Sequence, residues 1–244
     1  MKEDVPVKRI RVVVPVSTDE WNAPVKNLLE GYKDANTQFD IVHIEGGPEA
    51  IESCYDEVFA APFLVREAER AEQRGYHGVI DYCFDDPGLR AAKERLNIPV
   101  IGLGEASFHM ASLLGTNFSI ISAGPPGCPF TDIKDLVRLY GFSDKCVSVR
   151  SVALPVLELG KAKEEQVKRL LAEAAKAIEE DGADTIVLGC GSLLVQTEKI
   201  LTLDVPVVIP GIAALKLCED FIDMQLAQSK RAFPVPRRQS GERA

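Results

Sequence analysis

The stretch Gly75–Cys83, GYHGVIDYC, decides the fold because its pattern occurs twice in the chain. An offset of 107 residues (190 − 83) leads to Gly182–Cys190, GADTIVLGC, where a glycine again precedes a cysteine by eight residues. The same offset aligns Pro99–Ile101 with Pro206–Val208, and it also superposes the apolar runs earlier in each half. A repeat of this length is no short solenoid period, so it indicates a duplicated α/β domain.

Short apolar runs rich in valine and isoleucine alternate along the chain with amphipathic stretches. The runs predict strands at Ile10–Val16, Phe39–Ile44, Val79–Tyr82, Val100–Leu103, Phe118–Ser122, Val147–Leu154, Thr185–Leu188 and Val207–Ile209. The intervening patterns predict helices at Ala50–Gln73 (with a break at Pro62 left open), Gly88–Leu96, Ala106–Leu114, Ile133–Leu139, Glu164–Glu180 and Ile212–Met224. This alternation is typical of parallel strands covered by helices, and the continuous apolar runs indicate strands buried on both faces.

The predicted fold is therefore α/β, with two pseudo-symmetric doubly wound domains that each contain a four-stranded parallel sheet. We expect residues 1–104 plus 211–244 to form the first domain and residues 105–210 the second. Ligands of open parallel sheets bind beyond the carboxyl ends of the strands, where Cys83 and Cys190 stand. The active site is thus expected in the cleft between the domains, with one thiol on each side.

Composition narrows the class of protein further. The formal charge is 28 − 37 = −9, and no basic stripe is present, which disfavours nucleic-acid binding. No apolar run approaches the ~18 residues of a membrane span, and the charged start does not resemble a signal peptide, so we expect a cytoplasmic protein without a membrane partner. Six cysteines without a CxxC pair predict reduced thiols. The three histidines lack ligand spacing, so no metal is expected.

Two opposed thiols suit inversion at a carbon next to a carbonyl, which needs a base on one face and an acid on the other. Asp86-Pro87 has the form of an N-cap followed by proline, which predicts a helix start just after Cys83 and a dipole that favours the thiolate. The Asp85 and Asp86 carboxylates oppose that effect, and the sequence leaves the balance open. The N–H groups of Gly191 and Ser192 are expected to hold an enolate-like oxygen.

Four motifs resemble the Asp/Glu/hydantoin racemase superfamily, and within it the hydantoin and allantoin racemases, over nearly the whole chain. They are IESCYDE at 51–57, CFDDPGL at 83–89, IPVIGLGEAS at 98–107 and IVLGCGSL at 186–193. The resemblance implies a racemase without a cofactor that acts on a small chiral molecule between two α/β domains. We also expect a homo-oligomer.

The resemblance also implies roles for particular residues. Cys83 and Cys190 correspond to the acid/base pair. Phe84-Asp85 replaces the Asn-Thr that follows the first cysteine in amino-acid racemases, which favours a cyclic five-membered substrate such as a hydantoin or allantoin. The first-strand asparagines of the family are Val14 and Val16 here. The substrate-binding residues expected on these grounds are Pro15, Val16, Ser17, Gly47, Phe84, Asp85, Ser122, Ala123, Gly191 and Ser192.

Several alternative functions are also compatible with the sequence. An aspartate/glutamate-type racemase, a decarboxylase or an isomerase of the same superfamily would keep the fold and change the chemistry. A decarboxylase needs only one proton donor, and an isomerase can use a cysteine as nucleophile. A ligand-binding protein with unused thiols is the alternative of another class. Glu105 is expected to cap the helix that follows it, and a link between the two domains is the alternative role for this residue. The remaining cysteines are expected to be structural: Cys54, Cys128, Cys146 and Cys218.

Overall fold

The protein is described by a computed structural model over residues 6–125, 127–159, 161, 163–193, 200 and 202–236. Its strands within these ranges are β1 Lys8–Val14, β2 Thr37–His43, β3 Gly78–Asp81, β4 Val100–Gly102, β5 Phe118–Ser122, β6 Cys146–Ser151, β7 Thr185–Leu188 and β8 Val207–Val208. Its α-helices are α1 Asn22–Glu30, α2 Cys54–Gln73, α3 Leu89–Arg95, α4 Leu103–Leu114, α5 Thr131–Leu139, α6 Lys163–Glu179 and α7 Pro210–Asp223. A 3₁₀ turn covers Val156–Glu158.

The strands form two parallel sheets of the same topology. The first has the order β2-β1-β3-β4, and the second has the order β6-β5-β7-β8. Each strand of the first sheet therefore has a counterpart in the second at the same position. The predicted α/β fold with two four-stranded parallel sheets is confirmed, and the matching order agrees with the duplication read from the sequence.

The last helix of each sequence half crosses to the other sheet. Helix α4 contacts β7 and β8 of the second sheet, whereas α7 contacts β1, β3 and β4 of the first. The two helices also pack against each other, so the halves are joined by an exchange of helices as well as by the chain. An aromatic cluster supports this junction, in which Phe108 lies edge-on to Phe84 at 5.5 Å and stacks with Phe118 at 5.7 Å.

One helix was missed by the sequence analysis, and the structure answers whether the helix over Ala50–Gln73 breaks at Pro62. Helix α1 was not predicted, because only Val25 and Leu29 of its nine residues are buried and no side chain caps its start. Helix α2 continues through Pro62 instead of breaking there; Pro62 lies on the exposed side, where water can bind the carbonyl that proline leaves without a donor. Ser53 caps α2 through Asp56 N–H.

The described helices include none that is long and apolar enough to cross a membrane.

Candidate active site

A cleft of about 800 Å³, including its open mouth, lies where the carboxyl ends of both sheets meet. Its walls come from the segments that follow β1, β3, β5 and β7, two from each sheet. Cys83 lies beyond β3, and Cys190 lies beyond its counterpart β7; both thiols line the cleft and both are free and partly buried. The repeat thus brings together two residues that are 107 positions apart (190 − 83).

The segment after Cys83 is bent by Asp86, whose φ of +51° lies in the left-handed region. The bend turns the Asp86 carboxylate away from α3 and towards α4, where it accepts hydrogen bonds from the N–H groups of Gly104 at 2.9 Å and Glu105 at 2.8 Å. It also accepts a bond from the Tyr140 hydroxyl at 2.8 Å. The prediction that Asp86 caps the helix after it was therefore wrong: α3 begins at Leu89, and Asp86 caps α4 from a neighbouring loop.

The position of Asp86 also affects Glu105, whose side chain does not cap α4. Because Asp86 occupies the N-terminus of α4, the Glu105 side chain is free to form an ion pair with Lys93 of α3. The expectation that Glu105 caps α4 was therefore wrong. Its pairing ties α3 to the helix that begins beside the cleft.

The surroundings of Cys83 favour the thiol over the thiolate. Burial, then the neighbouring Asp85 and Asp81 carboxylates, raise the pKa of Cys83 well above its ordinary value. Its Sγ lies 3.9 Å from Asp85 Oδ2, which places an acceptor beside the S–H group. The helix dipole does not offset these effects, because α3 begins six residues after the thiol. Burial and the neighbouring carboxylates therefore outweigh any helix dipole at Cys83, a balance that the sequence alone left open.

Asp81 adds to this effect from inside the first sheet. Asp81 is the last residue of β3 and is fully buried. Neither of its carboxylate oxygens has a hydrogen-bond partner among the described residues. Burial, followed by the charges of Asp86 and Asp85, raises the pKa of Asp81 well above its ordinary value.

Cys190 has different neighbours. Burial and the charge of Asp85 raise its pKa to about 11, whereas the backbone N–H of Ser192, the Ser192 side chain and the backbone N–H of Leu193 lower it. Cys190 therefore has three hydrogen-bond donors that favour its thiolate, whereas Cys83 has one, the backbone N–H of Asp85. Gly189 and Gly191 flank Cys190, and a Cβ at Gly191 would lie 3.1 Å from Leu103 Cδ1 and 3.2 Å from the Tyr82 ring, so the backbone passes close to both.

Most of the residues expected to bind substrate line the cleft. These are Pro15, Val16, Phe84, Asp85, Ser122, Ala123, Gly191 and Ser192. The Ser122 hydroxyl donates to the Gly189 carbonyl at 2.6 Å, so it fixes the Cys190 loop.

Two expected residues lie outside the lining. Ser17 donates through both its N–H and its hydroxyl to the Pro48 carbonyl, at 2.8 and 3.1 Å. Gly47, with a φ of +106°, packs beside Ile44 and Phe59. Both residues belong to the contact between two loops of the first half, which turns them away from the cleft.

Several lining residues were not predicted from the sequence. Cys128, Phe130 and Asp132 come from the segment that leads into α5, while Trp21 and Glu52 come from the first half. The Glu52 carboxylate accepts the Val156 N–H at 2.6 Å and so joins the two halves at the rim. These side chains come from loops that carry no periodic pattern, so their convergence depends on the tertiary fold.

Three carboxylates meet beside the cleft, and two of them, Asp85 and Asp132, belong to its lining. Oxygen atoms of Glu57, Asp85 and Asp132 lie within 4.8 Å of one another, and this is the group of potential metal ligands found among the described residues. The lining contains no lysine, arginine or histidine over the described part of the chain. The cleft therefore combines two thiols, mainly apolar walls and a negative side.

The chain matches the model of the family described as Asp/Glu/Hydantoin racemase over residues 10–218. It is similar to a hydantoin racemase of Rhizobium meliloti, with 34% identity, covering 93% of this chain and 95% of the relative. A hydantoin racemase of Pseudomonas sp. strain NS671 is 31% identical, covering 91% and 89% of the two chains. The solved structure of allantoin racemase from Klebsiella pneumoniae superposes with a TM-score of 0.86 at 31% identity, covering 94% of each chain.

These matches define the class first: an α/β protein of the racemase fold with a two-thiol cleft. The particular family follows from the match over most of the chain. The protein belongs to the Asp/Glu/hydantoin racemase family, and the resemblance inferred from the four motifs is confirmed.

Proposed function

We propose that this protein is a racemase that inverts the C–H centre of a hydantoin-like ring, a 5-substituted hydantoin or allantoin, with Cys83 and Cys190 as its acid/base pair. Membership of a racemase family makes it an isomerase. The observation that carries the two-base mechanism is that two thiols at matching strand ends line one cleft. A base and an acid on opposite faces of one carbon are what inversion needs.

The different surroundings of the thiols suggest the starting protonation state. Cys190, with hydrogen-bond donors around it, is the thiol that ionises first and supplies the reactive thiolate, and Cys83, beside Asp85, is the thiol that keeps its proton. The Cys190 thiolate removes the proton from the ring carbon and becomes a thiol. The resulting enolate then takes the Cys83 proton on its opposite face, which leaves Cys83 as the thiolate. Reversal of these steps, or proton exchange with water, restores the first state.

The developing negative charge falls on the ring carbonyl oxygen next to the reacting carbon. The backbone N–H of Gly191 is the donor that we assign to it, with a contribution from the loop at Phe84, because the N–H groups of Ser192 and Leu193 donate to Cys190. Gly191 allows close approach of the backbone because it has no side chain to fill this part of the cleft. Fixed donors aimed at a forming oxyanion stabilise the transition state more than the ground state.

The charge of the cleft argues against the alternatives that bind acidic substrates. Glu52, Asp85 and Asp132 line it, whereas no cationic side chain does so among the described residues. Aspartate, glutamate and the malonate-type substrates of a decarboxylase carry carboxylates, which these residues would repel. A neutral ring does not meet this repulsion. A non-catalytic binding role leaves the paired thiols without a purpose.

Incubation of a single enantiomer of a 5-substituted hydantoin in D₂O tests the proposal. We expect optical rotation to fall to zero while one deuterium enters the ring carbon, as measured by polarimetry and NMR. A Cys83→Ala variant that racemises at the wild-type rate would exclude the two-base mechanism. The cytoplasmic location and the homo-oligomeric state expected from the sequence stay predictions.

A further inference from the structure

The two cysteine loops carry a partner side chain at the same position. Asp85 follows Cys83 by two residues and Ser192 follows Cys190 by two residues, so the repeat aligns them (85 + 107 = 192). The backbone N–H of each partner donates to its cysteine, and the side chain of each partner also contacts that cysteine. A serine hydroxyl does not take up a proton in water near neutral pH, whereas a carboxylate can be protonated. The two partners therefore differ in the property that a proton carrier needs.

A second cavity lies beside the Cys83 loop. It has a volume of about 1050 Å³, including its open mouth, and its walls come from α2, residues 85–90, and α5 with the adjoining Tyr140. Of the described residues that line the cleft, two also line this second cavity, namely Asp85 and Asp132. An open cavity with charged walls admits water. A side chain in the shared wall thus connects the cleft with a second space that solvent can fill.

Asp85 is the residue of this shared wall that contacts a thiol. Its Oδ2 atom lies 3.9 Å from Cys83 Sγ, whereas Asp132 Oδ1 accepts the N–H of Ile133 at 2.9 Å. Burial, followed by the charges of Asp132 and Glu57, raises the pKa of Asp85 well above its ordinary value. The proton affinity of Asp85 is thereby brought closer to that of a thiol, which favours proton transfer between the two groups.

The proposed mechanism creates a need for such a transfer. After one inversion Cys83 is the thiolate and Cys190 is the thiol, which is the reverse of the starting state. Another molecule of the same enantiomer cannot react until both groups have exchanged their protons. Cys83 therefore needs a proton donor other than the substrate.

We propose that Asp85 is the proton relay of Cys83, and that it carries one proton from water in the second cavity to the Cys83 thiolate after each inversion. The inference rests on the proposed function, because inversion is the step that leaves Cys83 without its proton. The Asp85 carboxylate takes a proton from a water molecule, which leaves as hydroxide. The O–H bond of Asp85 then breaks as the S–H bond of Cys83 forms. Cys190 releases one proton to water in the cleft, which neutralises the hydroxide and restores its thiolate.

A burst experiment at saturating substrate separates proton return from inversion. The first inversion of the enantiomer whose proton faces Cys190 needs no relay, whereas every later one does. In Asp85→Asn we expect one product molecule per active site at a rate within about threefold of the wild-type single-turnover rate, and then a steady rate lowered by about tenfold or more. Rapid quenching and chiral chromatography measure both phases. Equal losses in both phases, or a steady rate within about twofold of wild type, would overturn the inference.

Two further variants separate the relay from a structural effect. Asp135→Asn is the matched control, because Asp135 also lines the second cavity but pairs its exposed carboxylate with Arg138. This control should leave both phases unchanged, and melting temperatures show that each variant is folded. In Asp85→Ala, acetate added at constant pH and ionic strength should raise the steady rate in proportion to its concentration, because a small acid can carry the same proton. A steady rate of Asp85→Ala that does not depend on acetate would contradict a proton-carrying role.

Proton exchange at the thiol keeps this inference separate from the proposed function. After rapid mixing with D₂O and without substrate, the infrared S–H band of Cys83, assigned by its loss in Cys83→Ala, decays as S–D forms. We expect this decay to be about tenfold slower in Asp85→Asn than in the wild type or in Asp135→Asn. That result without turnover of any hydantoin would support the relay and remove the proposed function. Hydantoin turnover with equal decay in the wild type and Asp85→Asn would overturn the relay and leave the racemase intact.

Discussion

The loops after β3 and β7 occupy the same place in two sheets of the same strand order, yet they give their cysteines different surroundings. Cys83 lies against the Asp85 carboxylate, with the buried Asp81 nearby. Cys190 lies among the donors of Ser192 and Leu193. Duplication thus accounts for the position of both thiols, and divergence of the two loops accounts for their different proton affinities. Under the proposed mechanism, the two thiols would therefore differ in how readily each one gives up its proton.

The largest effect is expected when either thiol is removed. Cys83→Ala and Cys190→Ala should each lower the racemisation rate by roughly 10²- to 10⁴-fold, because inversion needs both the base and the acid. Cys146→Ala is the matched control, since this cysteine lies at the start of β6, away from the cleft lining. Chiral chromatography of the product follows the rate. Equal losses in the control would mean that the effect comes from folding and not from chemistry.

The pH dependence of activity sharpens the comparison. The pKa of Cys190 is about 11, so the fraction present as thiolate grows as pH rises towards that value. The pKa of Cys83 is raised well above its ordinary value, so we expect Cys83 to lose its proton at a higher pH than an ordinary thiol. We expect kcat/KM to increase with a slope of about one in log units between about pH 7 and 10. A bell-shaped profile with a maximum near neutral pH would contradict this assignment.

Removing the charge beside Cys83 should make the two loops more alike. Asp85→Asn is expected to lower the pKa of Cys83, because a nearby negative charge disfavours the thiolate. The measurement is the pH dependence of iodoacetamide alkylation at Cys83, followed by mass spectrometry of its peptide. Asp135→Asn, which removes a distant exposed charge, should leave that dependence unchanged. An unchanged pKa of Cys83 in Asp85→Asn would exclude the carboxylate as a cause.

The smallest expected effect concerns the support of the Cys83 loop. Asp86→Ala removes the cap of α4 and the partner of the Tyr140 hydroxyl, so the free energy of unfolding should fall by about 1–2 kcal/mol. Denaturant titration measures this loss. Asp144→Ala, at an exposed turn position, should change the same quantity by less than about 0.5 kcal/mol. Equal losses in both variants would show that Asp86 caps no helix.

Much of the fold was predictable because its determinants are local. Each predicted strand overlaps an observed one, since a run of buried branched residues is visible in the sequence itself. The cysteine pair was predictable because duplication preserves register over 107 residues (190 − 83). The shared strand order then follows from the repeat.

The details that escaped prediction depend on contacts between distant segments. Asp86 caps a helix that begins 17 residues later (103 − 86), and its sequence context resembles a cap for the nearer helix. Glu57 and Asp132 come from separate halves and meet Asp85 only in the folded chain. No regular spacing in the sequence indicates that these three carboxylates lie close together in the fold. Sequence patterns therefore gave the positions of the thiols, while the charges that distinguish them required the structure.

Proton exchange by the two single-cysteine variants tests the central claim most directly. Each variant keeps one thiol on one face of the ring carbon, so each should exchange deuterium into one enantiomer only, with retention of configuration. The account predicts that Cys83→Ala and Cys190→Ala label opposite enantiomers, as read by chiral chromatography with mass detection in D₂O. Labelling of the same enantiomer by both variants, or wild-type racemisation by either one, would contradict it.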